Sequence, residues 1–505
     1  MENTIGMNNS YSAPYIDIEL NTDVQEDISL ADYYPDVNRV LFVTARAVPE
    51  GKFISGNEID CDGIVSFNLT YLGADGTIAS IPVTAQYTQS ASLPDPVGVP
   101  GEIICRSYAV SPSCRVTSPR TISLKAHLTT NVFCTQRIES EVVITDEALS
   151  PVSPDKEITV EKDMIEYPTV SLYYGACSDV IEGEIDETDV DRIISADAVI
   201  NIIDTRIEES KTTVKAEAIL SVFYITTEGI YKSERTRVPF DSQVQIKSLK
   251  PGDCVSANAV IASVEVSITD SGITYSIEYD MDINASSKDV FALCRDAFST
   301  EYLSEPEITD INVLEFIKVS NAHLTQTGEL KRHGEAKDGE YVIDTVATAQ
   351  ADSITVDDNK MTIIGVIDVQ SAIWQDGDVV SEDGKIPFTY TCDILPTDGN
   401  PVIFTNIVVT NVSSRIDSST LSITAELSLS ITALAESSEE AVSKLIINTT
   451  EMRTNNCFLK ICFPDEKESI WSICKRYGCS QSTIEKINGW QQGQDSIGKG
   501  PIIIE

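Results

Sequence analysis

The chain has 505 residues, 79 Asp and Glu against 36 Lys and Arg, and a formal charge of −43 at pH 7. This length accommodates several folded domains. So acidic a surface repels phosphate backbones and anionic lipid headgroups, which argues against nucleic acid and membranes as partners. The N-terminal stretch MENTIGMNNSYSAPYIDIEL has no basic segment followed by an apolar one, so we expect no secretory signal peptide and synthesis in a cytoplasm.

Short segments recur along the chain at a constant spacing. DVNRVL at residues 36–41 returns as DVDRII at residues 189–194, and YLGADG at 71–76 returns as YITTEG at 224–229, both at an offset of 153 residues. LSITAEL at 421–427 lies 146 residues after the similar YSIEYDM and indicates a third copy. The body is therefore predicted to be three copies of one module of about 150 residues. Each module is predicted to contain two half-repeats.

Apolar residues alternate with polar ones in the longest runs. Every second residue is apolar within 421–433, and the same holds within 214–224. A period of two places one face of a strand on a core and the other in water, which indicates antiparallel sheets. Three short clusters that end in glycine, at 74–76, 227–229 and 382–384, are predicted hairpin loops.

Two segments, 286–307 and 436–447, place apolar residues at helical intervals, so short connecting helices are predicted there. The stretch 151–163, PVSPDKEITVEKD, is predicted to be a linker between domains. The predicted fold is mainly β, with three tandem antiparallel β modules, short connecting helices and a small C-terminal βααβ domain. The predicted domains are residues 1–155, 156–307, 308–455 and 456–505.

The last fifty residues have a different pattern. IWSICKRY has apolar residues at helical spacing, and Gly478 is placed to end that helix in the left-handed conformation. A second helix can be capped by Ser480, or by Ser482 with Glu485 as a capping box. The apolar runs CFLKICF and PIIIE flank the two helices and predict the order β-α-α-β. Six basic residues balance six acidic ones here, unlike the acidic body.

Twelve cysteines are scattered along the chain without the density of a disulfide scaffold. Cys457 and Cys462, together with Cys474 and Cys479, could be drawn as a four-thiolate zinc site. Their spacing is looser than the usual C-x2-C knuckle, so buried reduced thiols are the favoured interpretation and no metal or other cofactor is expected.

An enzyme is not expected either. The three histidines, His127, His323 and His333, are far apart in the sequence. No G-x-S-x-G, H-E-x-x-H or P-loop motif occurs. Carboxylates are too frequent in so acidic a chain to indicate a catalytic pair.

The C-terminal segment resembles a LysM domain. ESIW at residues 468–471 matches the Asp-Thr-Leu-Trp entry of that family, and Asn488 matches a later position. The resemblance implies a βααβ fold that binds N-acetylglucosamine chains between the loops 464–469 and 489–498. The binding residues that it implies, for a glycan or a protein partner, are Pro464, Asp465, Glu468, Ser469, Ile470, Trp471, Asn488, Gly489, Trp490, Ile497 and Gly498.

Two aromatic residues of this segment differ in their expected roles. Tyr477 falls on the apolar stripe of the first helix, so we expect it in the core of the small domain. Trp471 lies one position off the stripe. Partial exposure and an interface contact are therefore expected for it.

The body resembles the SPOCS repeats of endospore-forming clostridia, on the segments LADYYPDVNRVLFVTARA at 30–47 and CRDAFSTEYLSE at 294–305. In the SipL-like spore-coat morphogenetic proteins, tandem SPOCS units precede a C-terminal LysM domain. The resemblance implies a non-enzymatic adaptor with an elongated β scaffold, whose LysM domain docks the morphogenetic ATPase of the coat basement layer. It implies a location in the mother-cell cytoplasm and then at the forespore surface. The alternative is a cell-wall protein whose LysM domain binds peptidoglycan.

Overall fold

The computed structural model describes residues 10–152, 158–208, 211–246, 249–332, 334, 339–357, 359–453, 459–465, 468–490 and 501–504. Most of these residues lie in strands, so the prediction of a mainly β chain is confirmed. The described part of the chain contains two helices, and neither is long and apolar enough to cross a membrane.

The N-terminal third forms a pair of facing sheets. Its strands are β1 Ser10–Ser29, β2 Val37–Ser55, β3 Glu58–Gly73, β4 Ile78–Ser92, β5 Val99–Ser118, β6 Thr121–Glu139 and β7 Val143–Asp146. One antiparallel sheet has the order β1-β6-β5 and the other has the order β2-β3-β4. Their apolar faces share one core, to which β3 contributes Phe67 and Leu69 and β6 contributes Ile122 and Leu124.

The same strand order recurs twice. The middle strands are β8 Val160–Ile185, β9 Arg192–Glu208, β10 Lys211–Ile225, β11 Tyr231–Gln245, β12 Cys254–Thr269 and β13 Gly272–Ser299. The next are β14 Tyr302–Lys331, β15 Tyr341–Asp357, β16 Lys360–Gln375, β17 Asp378–Asp393, β18 Asn400–Asp417 and β19 Thr420–Met452. They form the sheets β8-β13-β12, β9-β10-β11, β14-β19-β18 and β15-β16-β17, and β7 adds to β19 in parallel. The chain therefore contains three two-sheet sandwiches, called the first, second and third sandwich below.

Local sequence explains most of these strands. In β19 the residues Leu421, Ile423, Ala425 and Leu427 are buried, and the residues between them are exposed or half-buried. Two predicted hairpin loops occur where Gly76 and Gly229 adopt positive φ angles of 83° and 82°. A glycine adopts such angles without the steric penalty of a Cβ atom.

The third predicted hairpin loop is wrong. Residues 382–384 lie inside β17, paired with β16. The chain turns instead at Asp376 and Gly377, with φ angles of 51° and 85°. An Asp-Gly pair supplies the two positive φ angles that a tight hairpin turn requires.

The predicted connecting helices are also wrong, because both segments lie in strands β13, β14 and β19. In β13, Phe291 and Leu293 pack into one apolar cluster, whereas Cys294 and Ala297 pack into another. Burial on both faces removes the alternation that marks a one-sided strand. A β-bulge at Arg295 also shifts the phase of the side chains by one residue. The apolar residues of this strand therefore fall at intervals similar to those of a helix.

The three sandwiches pack around a common centre, so the expected elongated arrangement is wrong. Each sandwich has an apolar cross-strand pair next to one of its hairpin turns. The three equivalent pairs meet in one apolar cluster. These pairs are Leu72 with Ile78, Ile225 with Tyr231, and Trp374 with Val379. Of the predicted boundaries, 307 falls inside β14, whereas 155 and 455 lie outside the described residues.

Candidate functional site

The C-terminal segment forms a small unit, called the tip. It consists of β20 Ile461–Cys462, α1 Ile470–Tyr477, α2 Gln481–Asn488 and β21 Ile502–Ile503, and β20 pairs with β21 in antiparallel fashion. Strands β1–β19 are called the body. Local signals define both helices of the tip. The Ser469 side chain caps α1, Ser480 caps α2 in place of a box formed by Ser482 and Glu485, and Gly478 ends α1 at a φ angle of 66°.

The core of the tip includes a residue of the body. Ile470, Ile473 and Cys474 of α1 pack with Ile484 of α2, and the fully buried Phe298 of β13 lies in the same cluster. Tyr477 packs against this cluster, on the side that the helical spacing predicts. The tip therefore completes its apolar core on the end of the second sandwich.

Polar contacts also hold α1 against β13 of the second sandwich. The Trp471 indole Nε1 donates to Asp296 Oδ2 at 2.8 Å, and the Lys475 ammonium lies 2.6 Å from Asp296 Oδ1. The Trp471 ring packs edge-on against the Phe298 ring at a centroid distance of 5.0 Å. These contacts direct the Trp471 indole toward the body of its own chain, while part of the side chain remains exposed.

Arg453, just after β19, holds the end of α1. Its guanidinium donates to Lys475 O at 2.8 Å and to Tyr302 O at 3.0 Å. Burial lowers the pKa of this guanidinium. Gly478 lies so close that an added Cβ would stand 2.7 Å from Arg453 Cδ and 3.2 Å from Thr300 O. Glycine is needed here for close approach as well as for its φ angle.

We expect Gly478→Ala to loosen the tip more than Gly489→Ala does. Both glycines have positive φ angles, 66° and 68°, and each substitution costs about 1 kcal/mol in backbone strain. An added Cβ at Gly489 meets nothing within 4 Å, whereas at Gly478 it meets the body. Hydrogen exchange of α1 and α2 in the full chain measures the difference. Equal losses of amide protection in the two variants would contradict close packing of Gly478 against the body.

The structure brings several predicted binding residues together, but many already have partners within the tip. The Glu468 carboxylate pairs with Arg476 and accepts from Asp465 N at 3.3 Å. Asn488 donates to Ile503 O at 2.7 Å and accepts from Ile503 N at 2.9 Å, so its side chain continues the pairing of β21.

The remaining predicted residues differ in exposure. Ile470 is buried, Pro464 and Trp490 are half-buried, and Asp465, Ser469 and Gly489 are exposed. Ile497 and Gly498 lie outside the described residues.

Sequence reasoning missed an apolar strip on the outer face of the tip. Leu459, Ile461 and Phe463 are 61%, 50% and 77% exposed, while Cys462 between them is buried against the helices. Ile503 lies directly opposite Ile461 on β21 and is 36% exposed. We call Leu459, Ile461, Phe463 and Ile503 the outer strip. The alternation in LKICF was the signal that could have revealed it, because one set of alternate residues must face away from so small a core.

The alternative zinc site is not supported by the cysteines that can be described. Cys462 and Cys474 are buried in the apolar core of the tip, and Cys457 lies outside the described residues. The contact with Cys479 and burial raise the pKa of the Cys474 thiol, which disfavours the thiolate that zinc binds. Within the described ranges, no group of three or more potential metal-binding side chains occurs.

A cavity of about 720 Å³ lies where the three sandwiches meet. Its wall is built mainly from the same two strands of each sandwich: β2 and β5, β9 and β12, and β15 and β18. Arg46 crosses from the first sandwich to the second and donates to Asp197 Oδ1 at 2.8 Å. His127 and His323 do not line this cavity, and His333 lies outside the described residues.

Asp344 lies in the cavity wall, and we expect its carboxyl group to make the stability of the chain depend on pH. Burial raises the pKa of this carboxyl group above its ordinary value of 3.8, and a hydrogen bond with Ser233 and the Arg235 charge offset this only in part. Since the folded state then holds the proton more tightly than the unfolded state, the free energy of unfolding should fall as pH rises from about 4. Asp344→Asn should flatten that fall. Urea unfolding at several pH values tests this, with exposed Asp352→Asn as the control.

Comparison with known proteins finds a match for one part of this chain. The family model described as "SipL, SPOCS domain" matches residues 189–269, which include strands β9–β12 of the second sandwich. No curated protein and no solved structure matches the chain. The match supports a relationship to SipL-like proteins, and the SPOCS domain suggests a function connected with the sporulation coat.

Proposed function

We propose that this chain, related through residues 189–269 to the SipL SPOCS domain, is a non-enzymatic adaptor of spore-coat assembly. Residues 1–155, 156–307 and 308–455 are its three SPOCS modules and residues 456–505 its LysM domain. The family match supports the middle module. The recurrence of one strand order in all three sandwiches supports the other two.

The LysM tip docks a protein of the coat basement layer, a morphogenetic ATPase. The outer strip is the observation that carries this proposal. Its residues are exposed although they are large and apolar, and such a surface suits a protein partner. Since α1 is fastened to the body through Asp296, the strip is held in a defined direction.

Peptidoglycan binding is the second candidate, and the contacts of the tip favour it less. Recognition of a sugar chain requires polar groups free to bond with its hydroxyls. Glu468, in the first predicted glycan loop, and Asn488, next to the second, already bond within the tip. The outer strip adds apolar side chains rather than hydrogen-bonding groups.

Phe463→Asp should reduce capture of the partner at least tenfold. A carboxylate at the most exposed position of the outer strip would be desolvated on binding without a counter-charge. The measurement is a quantitative pull-down from sporulating cells with the full chain as bait. Val97→Asp, at an 80% exposed apolar residue of the first sandwich, is the matched control. Equal capture by both variants would contradict docking through the strip.

Sedimentation with purified peptidoglycan separates the two candidates. The adaptor should stay in the supernatant, whereas retention that is lost on changing Asp465 and Ser469 would favour the glycan candidate. We also expect expression confined to sporulation. A fluorescent fusion should appear first in the mother-cell cytoplasm and then at the forespore surface.

A further inference from the structure

Two cysteine thiols face each other between the sheets of the first sandwich. Cys61 lies on β3 and Cys105 on β5, in different sheets and 44 residues apart, and their Sγ atoms are 3.5 Å from each other. Both side chains are buried, with 3% and 7% exposure, in an apolar cluster that includes Ile59 and Ile103. The two thiols are free in the structure.

We propose that Cys61 and Cys105 form a disulfide bond that fastens the two sheets of the first sandwich when the chain meets a peroxide. A disulfide requires an S–S distance of about 2.05 Å, so the sulfur atoms must approach by about 1.5 Å.

The neighbouring cysteine has other hydrogen-bond partners. Cys134 belongs to the same cluster, but its thiol donates toward Thr135 O at 3.2 Å and Gly101 O at 3.4 Å. The Cys105 thiol contacts that of Cys61. The hydrogen bond from Cys105 also lowers the pKa of the Cys61 thiol, so Cys61 is the more readily ionised of the pair.

The chemistry balances with hydrogen peroxide as the oxidant. The Cys61 thiolate attacks one peroxide oxygen, the O–O bond breaks, and the leaving hydroxide takes up the thiol proton to form water. Cys105 sulfur then attacks the sulfur of the Cys61 sulfenic acid. The S–O bond breaks as the S–S bond forms, and the departing hydroxide takes the Cys105 proton. Two thiols and one peroxide yield one disulfide and two waters.

The bond would stiffen the region where two sandwiches meet. Arg106 follows Cys105 on β5, and its guanidinium lies 3.5 Å from Asp282 of the second sandwich. Fixing β5 to β3 therefore limits the movement of a strand that contacts the neighbouring sandwich. The loop that the bond closes is long enough to raise the unfolding temperature by about 5–10 °C.

Peptide mapping of the full chain tests the proposal. After treatment with hydrogen peroxide and alkylation, combined cleavage after acidic Glu and basic residues isolates Cys61 on residues 59–102 and Cys105 on residues 103–106. The expected result is one linked species of these two peptides, lost on reduction. It should be accompanied by a rise in unfolding temperature that a reductant reverses.

Two variants serve as controls. Cys61→Ser should abolish both the linked peptides and the rise in unfolding temperature, whereas Cys392→Ser, at a half-buried cysteine of the third sandwich, should retain both. The peptide map of the wild-type chain tests the proposal even if Cys61→Ser does not fold. Free Cys61 and Cys105 in peroxide-treated chains, or a link from Cys105 to Cys134, would overturn the proposal.

Discussion

Phe298→Ala is expected to unfold the tip while the three sandwiches stay folded. The Phe298 side chain is fully buried and belongs to β13 by sequence, but it packs among Ile470, Ile473 and Cys474 of the tip. Removing a buried phenylalanine costs about 3–5 kcal/mol. A unit of about fifty residues has a small core and little stability to lose. Trp471 would also lose its ring contact with the body.

Hydrogen exchange and limited proteolysis of the full chain measure this effect. Amides of α1 and α2 should exchange rapidly in Phe298→Ala, and the tip should become sensitive to protease, while β3 and β10 stay protected. Phe53→Ala, on β2 with 48% of its side chain exposed, is the control and should leave both regions unchanged. If the helices stay protected in Phe298→Ala, the tip has an independent core.

Phe223→Ala is expected to loosen all three sandwiches at once. Phe223 is buried in the central cluster, where its ring lies 6.1 Å from that of Tyr231 and near residues of β2, β3 and β15. The expected loss is again about 3–5 kcal/mol, because a cavity at this point borders every sandwich. A linear chain of independent modules would confine the effect to the second sandwich.

The control is Phe240→Ala, which removes a half-buried ring that packs against the second sandwich's own core. Phe223→Ala should raise amide exchange in β2 and β15 as well as in β10, and it should increase the radius of gyration in solution scattering. Phe240→Ala should affect the second sandwich alone. Identical exchange patterns in the two variants would be evidence against a shared centre.

Some features of the tip could be predicted because their causes are local. The helical spacing in IWSICKRY, the cap at Ser480 and the left-handed end at Gly478 each depend on a few neighbouring residues. The partners of α1 could not be predicted in this way. Asp296 and Phe298 are more than 170 residues before Trp471, and nothing in the local pattern connects them.

The sequence by itself determined the strands with one wet face, such as the alternating part of β19, and the spacing at which similar segments return. These follow from side-chain periodicity, which a strand carries wherever it is placed. Only the tertiary structure decided that Phe291 and Cys294 lie on a strand buried on both faces, that the sandwiches share a centre, and that Trp471 faces the body. Each of these depends on which distant surface covers a residue, and that is settled by packing between segments far apart in the chain.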